Sequence, residues 1–337
     1  MQITSRFPPA RRLRRIASGL RLLVSTHPKL LPFLPVIADG VLGRSRGVEP
    51  LPSIEPPPAS PRAPAGTTAD LVVFAVIRNG VANGYPFVEA FGSWLGRADR
   101  LVVLDGESDD GTREALDRLA ALDPSVVIAS SPWPDLATGG GAIAQMTNRA
   151  LDLARDGARR LMYIQADEIY TDAQRDLVVA QPRDAALEFA GCVNFWNSFD
   201  AVLENEFPMR YLRLFPADAA AHSIADGFSF ELGNTVITPT SELFLHYGWC
   251  FPANILRKHV SHGRLYRDDP GYRIRGALAR LMLEQRRYDR RLLDALAPQY
   301  RPVPFAGEHP VCMQHVVPQT IYDPSVGLQL LESGVRW

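Results

Sequence analysis

Two adjacent carboxylates, Asp167 and Glu168, follow an apolar run in the segment YIQADEIY at 163–170. Carboxylate oxygens suit a hard divalent cation such as Mg²⁺ or Mn²⁺, which takes water and substrate phosphates as its other ligands. Such a cation neutralises a leaving diphosphate. An acidic pair in a loop is usually a solvated turn, but its place after a buried strand makes a metal site an equal alternative.

Two residues further along the chain could complete this chemistry. His246 ends the apolar stretch of ELFLHYGW. A lone histidine there is more often structural, yet an imidazole could also supply a further metal ligand. Lys258 could then contact the diphosphate. Asp226, in ADGF at 225–228, offers a carboxylate for the general base that an acceptor hydroxyl needs.

A second polar group follows the earlier strands. Arg78 and Asn79 end the first predicted strand, and the second strand runs into LDGESDDGT at 104–112. A carboxylate at a strand tip can accept hydrogen bonds from a nucleobase or a ribose, which favours Asp105 as a ligand contact. We interpret Asp110 as a helix cap. The ligand-binding residues that we predict are Arg78, Asn79, Asp105, Asn148 and Lys258.

The elements that must position these side chains alternate along the chain. Continuous apolar, β-branched runs predict buried strands, and amphipathic spacing predicts the helices between them. The strands are 71–77, 101–105, 125–130 and 160–167, and the helices are 84–95, 109–122 and 142–158. This alternation predicts a parallel sheet with helices on both faces, in which ligands bind beyond the carboxyl ends of the strands.

The later part of the chain has a different texture. Short β-rich pieces between 186 and 247 predict an antiparallel extension that forms an acceptor side. The stretch 274–297 predicts a basic helix or helix pair. Neither GxGxxG nor GxxxxGK[ST] follows the first strand, which counts against a dinucleotide oxidoreductase and a P-loop phosphotransferase. GGGA at 139–142 is either a phosphate cradle or a flexible helix entrance.

The charge and proline distribution divides the chain. Residues 1–65 hold ten Arg or Lys residues against three acidic ones. We predict a basic N-terminal segment at 1–49, with an amphipathic helix at 10–24, and a Pro-rich linker at 50–66. A catalytic domain at 67–315 and a C-terminal tail at 316–337 follow. The basic helix packs on the body, forms a frayed tail or lies on an anionic membrane surface.

Composition excludes several classes of protein. The formal net charge of −1 gives no reason to expect a nucleic-acid partner. No apolar run reaches the roughly 18 to 20 residues of a membrane-spanning helix. The three cysteines form no CxxC pair, which argues against a structural zinc site and indicates a reducing compartment. We therefore expect a cytoplasmic location, with peripheral binding to the inner face of the membrane as the alternative.

The segments AVIRNGVANGYPFVEAFGSWLGRADRLVVLDGESDDGT at 75–112 and MYIQADEIY at 162–170 resemble the family 2 glycosyltransferases of the GT-A fold. That family combines a D-x-x-S-x-D-G-T segment after a buried strand with a later D-x-D at a strand end. This chain departs from the pattern at two positions. Gln165 replaces the first Asp of D-x-D, and Gly80 follows Asn79 where Glu is usual.

The resemblance implies a Rossmann-like, mostly parallel α/β sheet flanked by helices, with a β-rich acceptor-side extension. It implies inverting sugar transfer from a nucleotide-diphosphate sugar to an acceptor hydroxyl on a glycan, a lipid-linked molecule or a small molecule. Asp105 would contact the base or ribose, and Asp167 and His246 would hold Mn²⁺ or Mg²⁺. Asp226 would be the general base.

Two other interpretations stay open. A nucleotidyltransferase uses a similar sheet, but it needs a glycine-rich, lysine-containing loop after the first strand, and VIRNGVANGYP has no lysine. A degenerate nucleotide-binding scaffold protein without turnover is favoured by Gln165. Asp105, Asp167 and His246 argue against such a loss of activity.

Overall fold

The computed structural model describes residues 28–41, 68–134, 139–204, 209–224, 229–297 and 301–337. These ranges form ten α-helices, fourteen β-strands and two 3-10 helices. The helices are α1 (Leu34–Val41), α2 (Gly80–Asn83), α3 (Phe87–Gly92), α4 (Thr112–Leu122), α5 (Gly140–Arg155), α6 (Asp172–Val179), α7 (Pro252–Leu265), α8 (Pro270–Glu284), α9 (Arg290–Leu296) and α10 (Pro324–Glu332).

The strands fall into one large sheet and three small ones. They are β1 (Ala69–Ile77), β2 (Arg100–Asp105), β3 (Val126–Ser130), β4 (Ala158–Tyr163), β5 (Glu168–Ile169), β6 (Ala186–Phe189), β7 (Gly191–Asn194), β8 (Ala201–Leu203), β9 (Tyr211–Pro216), β10 (His222–Ile224), β11 (Ser229–Glu231), β12 (Ile237–Pro239), β13 (Leu243–His246) and β14 (Pro302–Pro304). The 3-10 helices are Pro28–Phe33 and Val311–Met313.

The large sheet has the strand order β12-β6-β9-β4-β1-β2-β3, counted over the described residues. β4, β1, β2 and β3 run parallel, whereas β9 is antiparallel to both of its neighbours, β4 and β6. This is the mostly parallel α/β fold with a β-rich extension that the sequence predicts for a GT-A-like protein. The fold prediction is confirmed.

β1 explains why both faces of the sheet are covered. Its residues alternate between two cores, because successive side chains of a strand point to opposite faces. Val73 and Ala75 belong to the core beneath α3 and α4. Val72 and Phe74 pack against Met146 of α5 on the other face. A strand buried on both faces reads as a continuous apolar run, as LVVFAVI does.

The fourth predicted strand is shorter than the sequence indicates. β4 ends at Tyr163, and Asp167 lies in the turn that leads to β5. β5 leaves the large sheet and pairs with β13, which also pairs with β7. The backbone of Tyr247, one residue after β13, donates a hydrogen bond of 2.8 Å to the carbonyl of Asp167. The small sheet thus holds the end of β13 against the turn after β4.

The predicted basic stretch is a helix pair, α8 and α9, and α8 packs closely on α7. Gly263 and Gly276 face each other across the α7–α8 contact, where an added Cβ on either would lie 3.1 Å from the Cα of the other. The lack of side chains lets the two helices approach and places the polar residues of α7 beside those of α8. None of the helices within the described ranges is long and apolar enough to cross a membrane.

The two ends of the described chain pack on the body. Val36 of α1 is buried with Met282 of α8, and Asp39 forms an ion pair with Arg287. The sequence separates residues 316–337 as a tail. They include α10, whose Leu328 belongs to the same core as Val73 and Ala75, beneath α3 and α4. The predicted amphipathic helix at 10–24 and the linker at 50–66 lie outside the described residues.

Candidate functional site

A cavity of about 700 Å³ opens beyond the carboxyl ends of the parallel strands. Residues that follow β1, β3 and β4 form one side of it, and α7 and α8 form the other. The polar and aromatic residues that line it include Arg78, Asn79, Tyr85, Trp133, Gln165, Asp167, Glu168, Glu204, His246, Trp249, Lys258, His259, His262, Arg264, Tyr266, Arg267, Tyr272 and Arg275.

Three of the predicted residues meet in this cavity. Oδ2 of Asp167 lies 3.3 Å from Nε2 of His246 and 3.4 Å from Nζ of Lys258. The turn after β4, the end of β13 and the middle of α7 supply one residue each. The pairing of β5 with β13 sets His246 opposite Glu168, next to Asp167. Lys258 also donates a hydrogen bond of 3.2 Å to the carbonyl of Gly248.

The cluster is buried and charged. Burial by itself would raise the pKa of Asp167, but His246 and Lys258 outweigh it and hold this pKa well below its ordinary value. Burial lowers the pKa of Lys258, and the attraction of Asp167 opposes that change only in part. The ammonium lies 4.1 Å from the ring centroid of Trp249 and 4.6 Å from that of Tyr85. Aromatic faces therefore hold a desolvated cation beside the carboxylate.

Glu168 does not join this cluster, so the expectation of two adjacent metal-binding carboxylates is corrected. Its carboxylate forms a fully buried ion pair of 2.7 Å with Arg213. The same carboxylate accepts hydrogen bonds from the hydroxyl of Tyr170 and the backbone of Gln165. Successive residues at a strand start point to opposite sides, so the carboxylate of Glu168 points toward Arg213 and that of Asp167 toward His246 and Lys258. Glu168 braces the turn that presents Asp167.

The donor atoms present fit a divalent cation that takes most of its ligands from substrate and water. Oδ2 of Asp167 and Nε2 of His246 lie 3.3 Å apart, in hydrogen-bond contact with each other. A cation would take this carboxylate oxygen and this imidazole nitrogen in place of that contact. No group of three or more His, Cys, Asp or Glu side chains is arranged as a metal site within the described ranges. Two protein donors with substrate phosphates suit Mg²⁺ or Mn²⁺ rather than a closed structural site.

Residues at the ends of β1 and β2 are linked to one another. Asn79 has a left-handed backbone conformation, with φ of 52°. Its side-chain amide exchanges two hydrogen bonds of 3.0 Å with Asp109. The guanidinium of Arg78 lies over Trp133, 5.5 Å from the ring centroid. Arg78 and Asn79 thus line the cavity in fixed positions.

Asp105 and Asp110 are turned toward the protein. Asp105 is buried at the end of β2, and its carboxylate accepts hydrogen bonds from the hydroxyl and the backbone N–H of Ser108. It is not among the residues that line the cavity. Asp110 accepts a hydrogen bond from the backbone N–H of Thr112, the first residue of α4, and another from Ala82. Asp110 therefore joins α2 to the start of α4.

The remaining predicted residues lie elsewhere. The side-chain amide of Asn148 is hydrogen-bonded at both ends to the backbone of Ser223, so it joins α5 to β10 and does not line the cavity. Asp226 lies outside the described residues. Gly139, at the entrance of α5, packs against the ring of Tyr266, and its N–H donates to the carbonyl of Leu265. This contact favours a structural role for the glycine-rich entrance.

Sequence reasoning missed several residues of the cavity, among them His259, His262 and Arg275. A signal for them exists. In RKHVSHGRLY, His259, His262 and Tyr266 recur at spacings of three and four, which places them on one face of a helix. That face meets Trp249, whose ring centroid lies 5.3 Å from that of His259 and 5.5 Å from that of His262.

Comparisons with known proteins give low similarities. No protein-family model matches the chain, and no curated protein matches it. TarS from S. aureus is 12% identical over 58% of this chain, with a TM-score of 0.34, and the match spans only 39% of TarS. TarS 1-349 in complex with UDP is 11% identical, with a TM-score of 0.34, over 68% of this chain and 70% of its own.

A third solved structure matches more of the length. Mannosyltransferase PcManGT from Pyrobaculum calidifontis, in complex with GDP-Man and Mn²⁺, is 17% identical over 96% of this chain and 91% of its own, with a TM-score of 0.31. Likenesses this low define no family. The function proposed below therefore depends on the residues of this chain.

Proposed function

We propose that the protein is a glycosyltransferase of the family 2 kind, which moves a sugar from a nucleotide-diphosphate sugar to an acceptor hydroxyl with inversion. The main support is the meeting of Asp167, His246 and Lys258 in one cavity beyond the carboxyl ends of the parallel strands. Ligands of open α/β sheets bind at this edge. The D-x-x-S-x-D-G-T segment that ends β2 adds the sequence pattern of such enzymes.

The chemistry assigned to these residues concerns the leaving group. When the bond between the sugar and the diphosphate breaks, negative charge develops on the departing phosphate oxygen. Lys258 is desolvated between Tyr85 and Trp249, so its charge acts on that oxygen with little screening by water. Asp167 keeps the ammonium charged and in place. A divalent cation held by Asp167 and His246, Mn²⁺ or Mg²⁺, would stabilise the same leaving diphosphate as a Lewis acid.

The acceptor attacks from the other side of the sugar. Direct displacement requires a base that removes the proton of the acceptor hydroxyl, and we assign this role to Asp226. Arg78 and Asn79, which line the cavity, are assigned to the nucleoside end of the donor. Asp105 supports them through Ser108, whose hydroxyl donates to Asp105 and accepts a hydrogen bond from the backbone of Asn79. A glycan, a lipid-linked molecule or a small molecule serves as acceptor. Contact of residues 10–24 with the inner face of a membrane belongs to the same proposal.

Calorimetric titration of UDP, GDP and dTDP, each with and without Mn²⁺, tests the proposal. One nucleotide should bind tightly to the wild type with Mn²⁺, and Asp167→Asn should weaken that binding at least tenfold. Asp218→Asn provides the matched control, because Asp218 is exposed in the turn after β9. It should leave the affinity unchanged. If no nucleotide binds under any condition, the transferase assignment fails.

The same protein preparation separates the alternatives. Hydrolysis of the matching nucleotide sugar, with free sugar and nucleoside diphosphate as products, supports a transferase. Binding without any turnover favours the degenerate scaffold protein that Gln165 suggests. Release of pyrophosphate from a nucleoside triphosphate and a sugar phosphate would instead identify a nucleotidyltransferase.

A further inference from the structure

The wall of the cavity formed by α7 and α8 carries a buried imidazole whose ring nitrogens make no hydrogen bond within the described residues. His259 is 6% exposed, and within the described part of the chain neither of its ring nitrogens has a hydrogen-bond partner. Its ring lines the cavity. Buried polar atoms are nearly always hydrogen-bonded in native proteins, so an orphaned imidazole at a cavity wall indicates a site that a ligand completes.

The groups around His259 are cationic or neutral. Burial and the nearby charges of Arg275 and Lys258 lower the pKa of His259 to about 3. The same surroundings hold the pKa of His262 well below its ordinary value. Both histidines are therefore neutral near pH 7, and each offers an N–H donor without the energetic cost of a buried charge. The positive charges of Arg275 and Lys258 therefore favour an anion over a further cation beside these two histidines.

The balance of charge on this wall is one-sided. The residues of α7, α8 and their connection that line the cavity include Arg264, Arg267 and Arg275, and no carboxylate is among them. The described acidic groups of the cavity are Asp167, Glu168 and Glu204. The first two are paired with Lys258 and Arg213. Glu204, which is exposed, is the remaining acidic residue among the described residues that line the cavity.

The guanidinium of Arg275 has a fixed position in the cavity wall. It lies over the ring of Tyr272, 4.3 Å from the centroid, and Tyr272 stacks on Tyr266 at 4.5 Å. The buried Nε of Arg275 has no hydrogen-bond partner among the described residues. The close approach of α7 and α8 at Gly263 and Gly276 fixes this stack beside His259 and His262.

The donor diphosphate does not account for these groups. In the proposed function it is matched by Lys258 and by the cation at Asp167 and His246. We propose that His259, His262 and Arg275 form a second anion site that holds a phosphate group carried by the acceptor. N–H donors of imidazole and guanidinium groups bind phosphate oxygens through short, charge-assisted hydrogen bonds. The assignment to the acceptor rests on the proposed function, whereas the anion site itself does not.

Calorimetric titration of glycerol phosphate into the nucleotide-saturated protein tests this site, with glycerol as the uncharged match. Glycerol phosphate should bind, glycerol should not, and Arg275→Ala should weaken the binding at least tenfold. Arg273→Ala is the matched control, because Arg273 lies on the same helix, is exposed and does not line the cavity. It should change the affinity less than twofold. His259→Asn provides a second variant, and thermal unfolding confirms that each variant is folded.

Two outcomes would overturn the acceptor site. The first is that glycerol phosphate does not bind to the nucleotide-loaded wild type. The second is that it competes with the nucleotide and that Arg275→Ala weakens both ligands equally, because the wall would then belong to the donor diphosphate. If no nucleotide binds, the proposed function fails by itself. Binding of glycerol phosphate to the nucleotide-free protein then decides the anion site separately.

Discussion

Gly248 lies directly against the carboxylate of Asp167, so that a Cβ at residue 248 would overlap Oδ2 and approach Nζ of Lys258 to 2.7 Å. The backbone carbonyl of the same glycine accepts a hydrogen bond from Lys258. The ion pair of Asp167 and Lys258 fills the space in which a side chain at residue 248 would lie. Only glycine at this position leaves room for the two groups as they are placed.

We therefore expect Gly248→Ala to separate Asp167 from Lys258 and to weaken metal-dependent nucleotide binding at least tenfold. Calorimetric titration measures this effect. Gly141→Ala is the control, because an added Cβ at residue 141 meets nothing within 4 Å and alanine favours a helix. Equal affinity of the Gly248→Ala variant and the wild type would contradict the proposed role of the ion pair.

The buried pair of Glu168 and Arg213 predicts a stability effect. Glu168→Gln removes the negative partner from an arginine whose side chain is 0% exposed, and an uncompensated buried charge costs about 3 to 5 kcal/mol. Urea unfolding should show a loss of this size. Glu188→Gln, which affects the surface pair with Arg210, should cost less than about 1 kcal/mol. Similar losses in both variants would show that Glu168 does not brace the turn.

Lys258 should act on the diphosphate and not on the nucleoside. Lys258→Met keeps most of the side-chain volume and removes the charge, so affinity for the nucleoside diphosphate should fall about tenfold to a hundredfold. Affinity for the corresponding nucleoside should stay the same. The chain has one other lysine, Lys29, which is exposed, and Lys29→Met is the control. Parallel losses for nucleoside and diphosphate would place Lys258 elsewhere in the donor site.

The neutral His259 predicts a dependence of stability on pH. Its pKa is about 3 in the folded protein and about 6.5 in an unfolded chain, so the unfolded state binds the extra proton between these values. The free energy of unfolding therefore falls as the pH drops below about 6.5. Arg275 and Lys258, the charged groups around His259, also lower its pKa in the folded protein and so add to this fall in stability.

Between pH 7 and pH 5 this histidine accounts for up to about 2 kcal/mol of that fall. His259→Gln should lose stability less steeply with acid by this amount, as measured by urea unfolding at each pH. His222→Gln, which replaces an exposed histidine on β10 away from the cavity, is the control for the loss of an imidazole. Identical slopes for His259→Gln and the wild type would show that His259 is protonated in the folded protein.

The local hydrophobic patterns of the sequence predict the strands of the parallel half of the large sheet. β1, β2 and β3 begin and end within two residues of their predicted bounds, because a strand buried on both faces must be apolar throughout. The predicted fourth strand continues to residue 167, whereas β4 ends at Tyr163. Ile164 and Ala166 are buried without belonging to the strand. Burial, not strand pairing, explains their apolar character.

The sequence alone determined the type of sheet, the edge at which a ligand would bind and the candidate residues Asp167, His246 and Lys258. Only the tertiary structure decided that these three meet, because the pairing of β5 with β13 and the packing of α7 join segments distant in the chain. It also turned Glu168 toward Arg213 and brought His259 beside Arg275. A sequence pattern reports whether a residue is buried, whereas its partner depends on which elements pack together.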